Sequence, residues 1–285
     1  MNKLGLILEG GGMRGVYTAG VLDYLMEHNI ETDGVIGVSA GSCHATSYVS
    51  KQYKRNFRVN TKYLKDKRYL SFSSLMKTGS LFGMEMLFDE IPNKLDLYDY
   101  DAFNNRKCEF IVTSTNIETG KADYKVVTDM MKDTPYLQGS CSLPLMARIV
   151  EVDGKKLLDG GCSDSIPIQF MRKRGYEYNI VVLTQNETYR KGKNNLLPMI
   201  RHNYKEYPNL VKDLETRHIR YNKTLDELNA LEKQGHTFII RPSLPVNISR
   251  MEKNLDKLNA LYELGYQDTQ KVGKELDAFI KKSKQ

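Results

Sequence analysis

This sequence predicts an α/β fold with a parallel sheet and helical crossovers, and three observations carry that reading. The apolar run Leu4-Gly5-Leu6-Ile7-Leu8 is followed by a glycine-rich loop and then by a segment with helical spacing of its apolar residues. A second apolar run, Val35–Val38, passes at once into another helical segment. Strand, loop, helix, strand, turn, helix is the order in which parallel strands are joined across a sheet. Third, 285 residues with 40% hydrophobic and 27% charged content can bury a real core, as one large α/β domain or two small ones.

Each element has its own justification. Leu4–Leu8 is short, apolar and flanked by glycine, as a buried strand requires. From Val16 to Ile30, the residues Val16, Ala19, Leu22, Leu25 and Met26 recur at helical spacing. Val35–Val38 is a second strand, and Ala40 to about Tyr53 a second helix. The apolar cluster Leu75–Phe88 suits core, an acyl pocket or a lid. Phe110–Ser114 and Tyr124–Thr128 are strand-like, and Pro135–Ser142 is a short helix ended by Leu143-Pro144. Ile149–Val152 and Lys156–Leu158 form a hairpin around Asp153-Gly154, a favoured two-residue turn. Pro167–Arg174 is helical and Ile180–Leu183 a further strand. Beyond Asn194 long polar helical segments run to Gln234, followed by a strand at Thr237–Arg241. Two last helices, Met251–Leu264 and Gln267–Lys282, are separated by Gly265. The division expected is an α/β unit over 1–190 and a mainly helical region over 191–285 that packs on it.

Composition narrows the class. No segment reaches the 18 or so apolar residues of a membrane span, and the first residues lack the pattern of a secretory signal. Cys43, Cys108, Cys141 and Cys162 show no metal-binding spacing, so reduced thiols in a cytoplasmic protein are expected, with no metal. The net charge of +7 is partly concentrated: between Lys51 and Arg68 there are eight Lys or Arg against one acid, Asp66. That stretch reads as a solvated face, or as a surface for anionic headgroups and peripheral membrane contact. No motif accompanies it that would indicate nucleic acid. Oligomeric state is not legible.

Two glycine runs carry the chemistry. In Gly37-Val38-Ser39-Ala40-Gly41, glycines let a strand turn sharply into a helix and leave the Ser39 hydroxyl exposed at the sheet edge. In Gly10-Gly11-Gly12-Met13-Arg14-Gly15, a row of N–H groups opens a helix. Gly10, Gly12 and Gly15 also satisfy a dinucleotide-binding pattern, but that site needs an acid at the end of the second strand. Asp33 stands at its beginning, and Ser39 occupies its end. The other reading is an oxyanion hole in which the N–H groups of Gly11, Gly12 and Met13 face a tetrahedral intermediate, with Arg14 holding the loop or meeting a phosphate. Serine needs a base. Of His28, His44, His202, His218 and His236, only His236 lies late on a loop as a hydrolase histidine would. Asp159, ending an apolar strand and followed by Gly160 and Gly161, is the better candidate, since poor hydration would raise its pKa.

Together these motifs resemble the bacterial patatin-like phospholipases, which share a GGGxRG loop, a GxSxG elbow and a DG[GA] motif. All three occur here in family order, at Gly10–Gly15, Gly37–Gly41 and Asp159–Gly161. Ser140-Cys141-Ser142-Leu143-Pro144 and Ser165-Ile166-Pro167 add to the likeness, which spans about residues 3–185. The resemblance implies a three-layer α/β/α fold with a mainly parallel central sheet. It also implies a Ser39–Asp159 dyad, an oxyanion hole from the glycine loop, and hydrolysis of a lipid or acyl ester without metal or cofactor. Two rivals stand beside it: a non-hydrolytic lipid- or acyl-binding protein on the same scaffold, and a dinucleotide-binding enzyme.

Overall fold

The computed structural model describes residues 2–285. Strand β1 (Leu4–Leu8) is buried along its whole length, as an unbroken apolar run in a sheet covered on both faces should be. A short 3-10 turn at Gly12–Gly15 leads into α1 (Val16–Glu27). Strand β2 (Gly34–Val38) passes through Ser39 into α2 (Ala40–Val49). The connection to β3 (Glu109–Asn116) holds α3 (Arg55–Thr61), α4 (Phe72–Thr78), a π-helical stretch at Met86–Leu95 and α5 (Tyr100–Asn104). Next come β4 (Lys121–Val126), α6 (Met130–Cys141), and the hairpin of β5 (Val150–Val152) and β6 (Lys155–Asp159). Helix α7 (Ile168–Lys173) and β7 (Tyr178–Val182) follow. The rest of the chain forms α8 (Leu197–Asn203), α9 (Pro208–Lys233), β8 (Thr237–Ile240), α10 (Leu255–Lys271) and α11 (Gly273–Ser283).

The sheet runs β5-β6-β3-β2-β1-β7-β8, with β4 also paired to β3. Its central ladders, β3 with β2, β2 with β1, β1 with β7 and β7 with β8, are all parallel. Alternating side chains feed two cores. Leu4, Leu6 and Leu8 join the larger one, which includes Leu22 and Leu25 of α1, Ala45 of α2 and Leu258 and Leu261 of α10. Ile7, Ile36 and Ile111 point the other way, against Met171 of α7 and Tyr221, Leu225, Leu228 and Leu231 of α9. The result is a three-layer α/β/α fold with a helical C-terminal region, in which β8 extends the sheet. The four α9 side chains contribute on the order of 1.5–3 kcal/mol each by burial, which fixes a helix whose exposed surface is strongly polar.

Three local expectations are revised. Gly265 does not separate a pair of helices, because α10 runs through it and ends at Lys271. A Cβ at Gly265 would lie 2.1 Å from the Tyr17 carbonyl oxygen, and one at Gly20 equally close to that of Tyr262. These glycines let α1 and α10 touch backbone to backbone. Helix α6 begins a turn before Pro135, because the Asp129 carboxylate accepts the N–H groups of Met131 and Lys132 and caps it there. The Leu75–Phe88 cluster divides: Leu81 and Met86 are core and Met76 is exposed. Leu87 and Phe88 line a cavity of about 90 Å³ with Cys43 and His44. The hairpin turn is as expected, with positive φ at both Asp153 (50°) and Gly154 (72°).

Candidate active site

Strand register brings Ser39 to Asp159. Strand β4 pairs with β3 over Ile111–Asn116 and so occupies one of its edges. Strand β2, ending with Val38 opposite Thr113, and β6, ending with Asp159 opposite Ser114, must share the other edge. They approach end to end, and the residue after β2 is Ser39. The chain turns there with φ 56° and ψ −127°, a region that costs a non-glycine residue about 1–3 kcal/mol. The flanking glycines make the turn sterically feasible. A Cβ at Gly37 would sit 2.4 Å from the Ser42 Cα, and one at Gly41 would sit 2.3 Å from the Leu8 carbonyl oxygen. Fully buried Ser140, on α6, braces the elbow. Its hydroxyl accepts the Ser39 N–H at 2.9 Å, donates to the Thr113 carbonyl at 2.6 Å and contacts the Ser42 hydroxyl at 3.0 Å.

Asp159 is held as firmly. Its N–H donates to the Ser142 carbonyl at 2.8 Å, and its carbonyl accepts the Thr115 hydroxyl at 2.8 Å. Oδ1 accepts the Gly161 N–H at 2.8 Å, and Gly160 begins the short 3-10 turn that directs that amide back. Oδ2 is buried with no hydrogen-bond partner among the described residues. The Ser39 hydroxyl is near enough to favour the ionised carboxylate but is not aligned as a hydrogen bond. Burial dominates and pushes the Asp159 pKa up, opposed in turn by Ser39, the Arg217 charge, the Gly161 N–H and the Arg250 charge.

Ser39 and Asp159 share a cleft of about 30 Å³ with Gly10, Gly11, Gly12 and Arg14. No hydrogen bond occupies the N–H groups of Gly11 and Gly12 among the described residues. Met13 departs from the expectation: its N–H donates to the Arg250 carbonyl at 3.1 Å, and its side chain is core. The Arg14 N–H closes onto the Gly11 carbonyl at 3.3 Å, and Gly15 packs on His44. The loop therefore offers two free donors rather than three.

Of the other candidates, His218 lines a neighbouring cavity together with Asp159 and Arg217, and the rest lie elsewhere. His236 precedes β8, whose first residue, Thr237, pairs with Asn179 near the start of β7. In a parallel sheet that is the end opposite Ser39, and His236 faces Glu177 there at 3.7 Å. His44 is buried, with its pKa pushed down to about 4, and packs against Gly15. His28 stacks on Tyr24, and His202 is exposed. Asp33 accepts the Leu4 N–H at 2.7 Å at the far end of β1, where no ribose could meet the glycine loop. Half of the basic stretch is paired: Arg55 and Arg58 with Asp96, Arg68 with Asp66 and Glu90, and Lys51 with Glu31, while Lys54, Lys62, Lys65 and Lys67 make no ion pair among the described residues. Cys43 and Cys141 approach with their sulfurs 3.4 Å apart, both free. Among the described residues no group of His, Cys, Asp or Glu is placed to hold a metal ion, and no helix is long and apolar enough to cross a membrane.

Three cations at the site carried no signal in the sequence. Lys191, Arg217 and Arg250 line the Ser39 cleft from segments with no motif. Helix α9 aims Arg217 there because Leu214 and Tyr221, a turn to either side, are buried. The Tyr221 hydroxyl is anchored on Glu9 at 2.6 Å.

Residues 6–172 match the family model described as patatin-like phospholipase, well over half of the chain. The chain belongs to the patatin-like phospholipase family. Residues 207–281 match a domain of unknown function, DUF6363. Among curated relatives of this patatin-like chain, the uncharacterized protein YjjU of Escherichia coli is 26% identical over 187 residues, covering 64% of this chain and 52% of that one. Lysophospholipase NTE1 of Debaryomyces hansenii is 27% identical over 191 residues, 63% of this chain and 12% of that one. The same protein of Candida albicans is 27% identical over 193 residues, 63% and 13%. The chain thus spans about half of the first relative and far less of the fungal ones. VipD of Legionella pneumophila shares the fold, with a TM-score of 0.55 at 12% identity, covering 95% of this chain and 67% of that one.

Proposed function

We propose that this patatin-like chain hydrolyses acyl esters of lipids through Ser39 and Asp159. One observation carries the reading: the unpartnered, buried Asp159 Oδ2 lies beside a serine held in a strained elbow, with the free Gly11 and Gly12 amides across the same cleft.

The Ser39 Oγ bonds to the ester carbonyl carbon as its proton passes to Asp159 Oδ2. The carbonyl oxygen becomes an oxyanion and accepts hydrogen bonds from Gly11 and Gly12, donors worth roughly 3–4 kcal/mol each in comparable sites. Collapse expels the alcohol, which takes the proton from Asp159, and leaves an acyl-serine. Water then attacks this ester, giving its proton to Asp159. Release of the fatty acid returns that proton to Ser39. A carboxylate of ordinary pKa would be a weak base for these transfers, and burial is what strengthens it. The Gly10–Gly15 loop, the Gly37 and Gly41 elbow and the Gly160-Gly161 turn serve as scaffolding for this chemistry.

The test is release of fatty acid from octanoyl esters by the parent, Ser39→Ala and Asp159→Asn. Activity in the parent alone is expected. Full activity in Asp159→Asn refutes the dyad, and ester binding without turnover in the parent favours a lipid-binding role.

A further inference from the structure

Four cations surround the Ser39 cleft: Arg14, Lys191, Arg217 and Arg250. None forms an ion pair with a carboxylate among the described residues, whereas Arg190, Arg201 and Arg220 of the same C-terminal segments are paired with Asp226, Glu215 and Asp213. Among the described residues the Arg217 guanidinium reaches only the Ser165 hydroxyl, at 3.5 Å. Its Nε, like that of Arg14, is buried with no hydrogen-bond partner among the described residues. Lys191 lies over the Tyr221 ring at 4.1 Å. Arg250 is exposed at its outer surface, while partial burial of its charge and then the charges of Arg217 and Arg14 lower its pKa. Burial first, and then the charges of Arg217, Arg250 and Arg14, bring Lys191 down to about 7 against the opposing charge of Glu9. Crowding unpaired like charges around a partly buried cleft is unfavourable unless an anion comes to meet them.

The space beside them fits an amphiphile. The cleft adjoins a cavity of about 420 Å³ that shares Leu143, Asp159, Lys191, Arg217 and Arg250 with it and adds apolar wall from Pro144, Leu196, Ile200 and Leu214. We propose that Lys191, Arg217 and Arg250 form a headgroup subsite that binds the phosphodiester of the lipid ester attacked by Ser39. All three lie outside residues 6–172, and two lie within residues 207–281, so the C-terminal region acts as the specificity element of this site. A guanidinium fork suits a phosphodiester in two-point contact, and a neutral glyceride offers it nothing. The assignment rests on the hydrolase reading above.

The test compares octanoyl lysophosphatidylcholine with octanoyl monoglyceride, esters that differ in the phosphocholine. For Arg217→Gln, Arg250→Gln and Lys191→Met, the ratio of kcat/KM on the phosphate ester to that on the neutral ester should fall about tenfold or more, chiefly through KM. Arg217→Lys, which keeps the charge, should recover most of that ratio, and Arg190→Gln, a charge loss outside the cleft, should leave it within about twofold. Equal losses on both esters overturn the subsite and leave the arginines as tuners of Asp159. Inorganic phosphate should compete with the lysolipid only weakly, and tighter binding of the free ion than of the lysolipid overturns the headgroup assignment. If the parent cleaves neither ester, the hydrolase reading fails alone and calorimetry decides the subsite. Lysolipid heat in the parent that is lost in Arg217→Gln upholds it, and no heat in the parent refutes it.

Discussion

The Ser39 amide donates to the Ser140 hydroxyl at 2.9 Å, across 101 residues of sequence. Two residues on, the Ser142 carbonyl accepts the Asp159 amide at 2.8 Å. The end of α6 thus holds both halves of the proposed dyad, and the strained φ of Ser39 persists because this brace over-determines it.

Ser140→Ala removes the acceptor of the part-buried Ser39 N–H and a donor to the Thr113 carbonyl. Urea unfolding should show a loss of about 1–3 kcal/mol, and ester hydrolysis should fall by more than in Ser142→Ala at equal fraction folded. Unchanged activity in Ser140→Ala contradicts the brace.

Burial raises the Asp159 pKa in the folded protein, so over the window from the ordinary carboxylate range up to the folded value the native state binds more protons than the unfolded state. Asp159 therefore subtracts stability as pH rises through that window. Asp159→Asn carries no such term. Its Tm relative to the parent should rise between pH 4 and neutrality while hydrolysis is abolished, and a gap independent of pH contradicts an uncomfortable buried charge. In the parent, the acid limb of kcat/KM should lie above the ordinary carboxylate range, and Arg217→Gln should move it higher.

Gly265→Ala raises helix propensity by about 1 kcal/mol in the middle of α10 but places a Cβ 2.1 Å from the Tyr17 carbonyl. Packing should win. A net destabilisation of roughly 1–3 kcal/mol is expected in urea, and a stabilised variant contradicts the contact between α1 and α10.

Lys191, with its pKa near 7, faces Arg14, Arg217 and Arg250, which repel its charge, and Glu9, which favours it. Above neutrality it loses its proton and its hold on an anion. The ratio of kcat/KM for the phosphate ester to that for the neutral ester should decline from pH 6 to pH 8 in the parent. In Lys191→Met it should be flat, and a parallel decline there assigns the titration to another group.

Much of the scaffold is legible in the linear pattern, because Leu4–Leu8 and Val35–Val38 are continuous apolar runs that only doubly covered strands tolerate. Asp159 is legible as a candidate base from its strand end and glycines, and as the partner of Ser39 from the resemblance, but its nearness is not. Its physical cause is the shared edge of β3, a register that no local pattern announces. Gly265 reads as a breaker because glycine ends helices, yet here it permits a crossing whose other half, Gly20, lies far away in sequence. Lys191, Arg217 and Arg250 look like ordinary solvated charges, since nothing in a polar helix tells which arginine the anchor of Tyr221 on Glu9 will turn inward.

The most direct test of the central claim is intact-mass analysis after brief exposure to a fluorophosphonate at neutral pH. The account predicts one phosphonyl adduct, mapped to Ser39, absent in Ser39→Ala and strongly slowed in Asp159→Asn while Arg190→Gln labels like the parent. Labelling of Asp159→Asn at the parental rate, or no adduct on a parent that is folded, contradicts it.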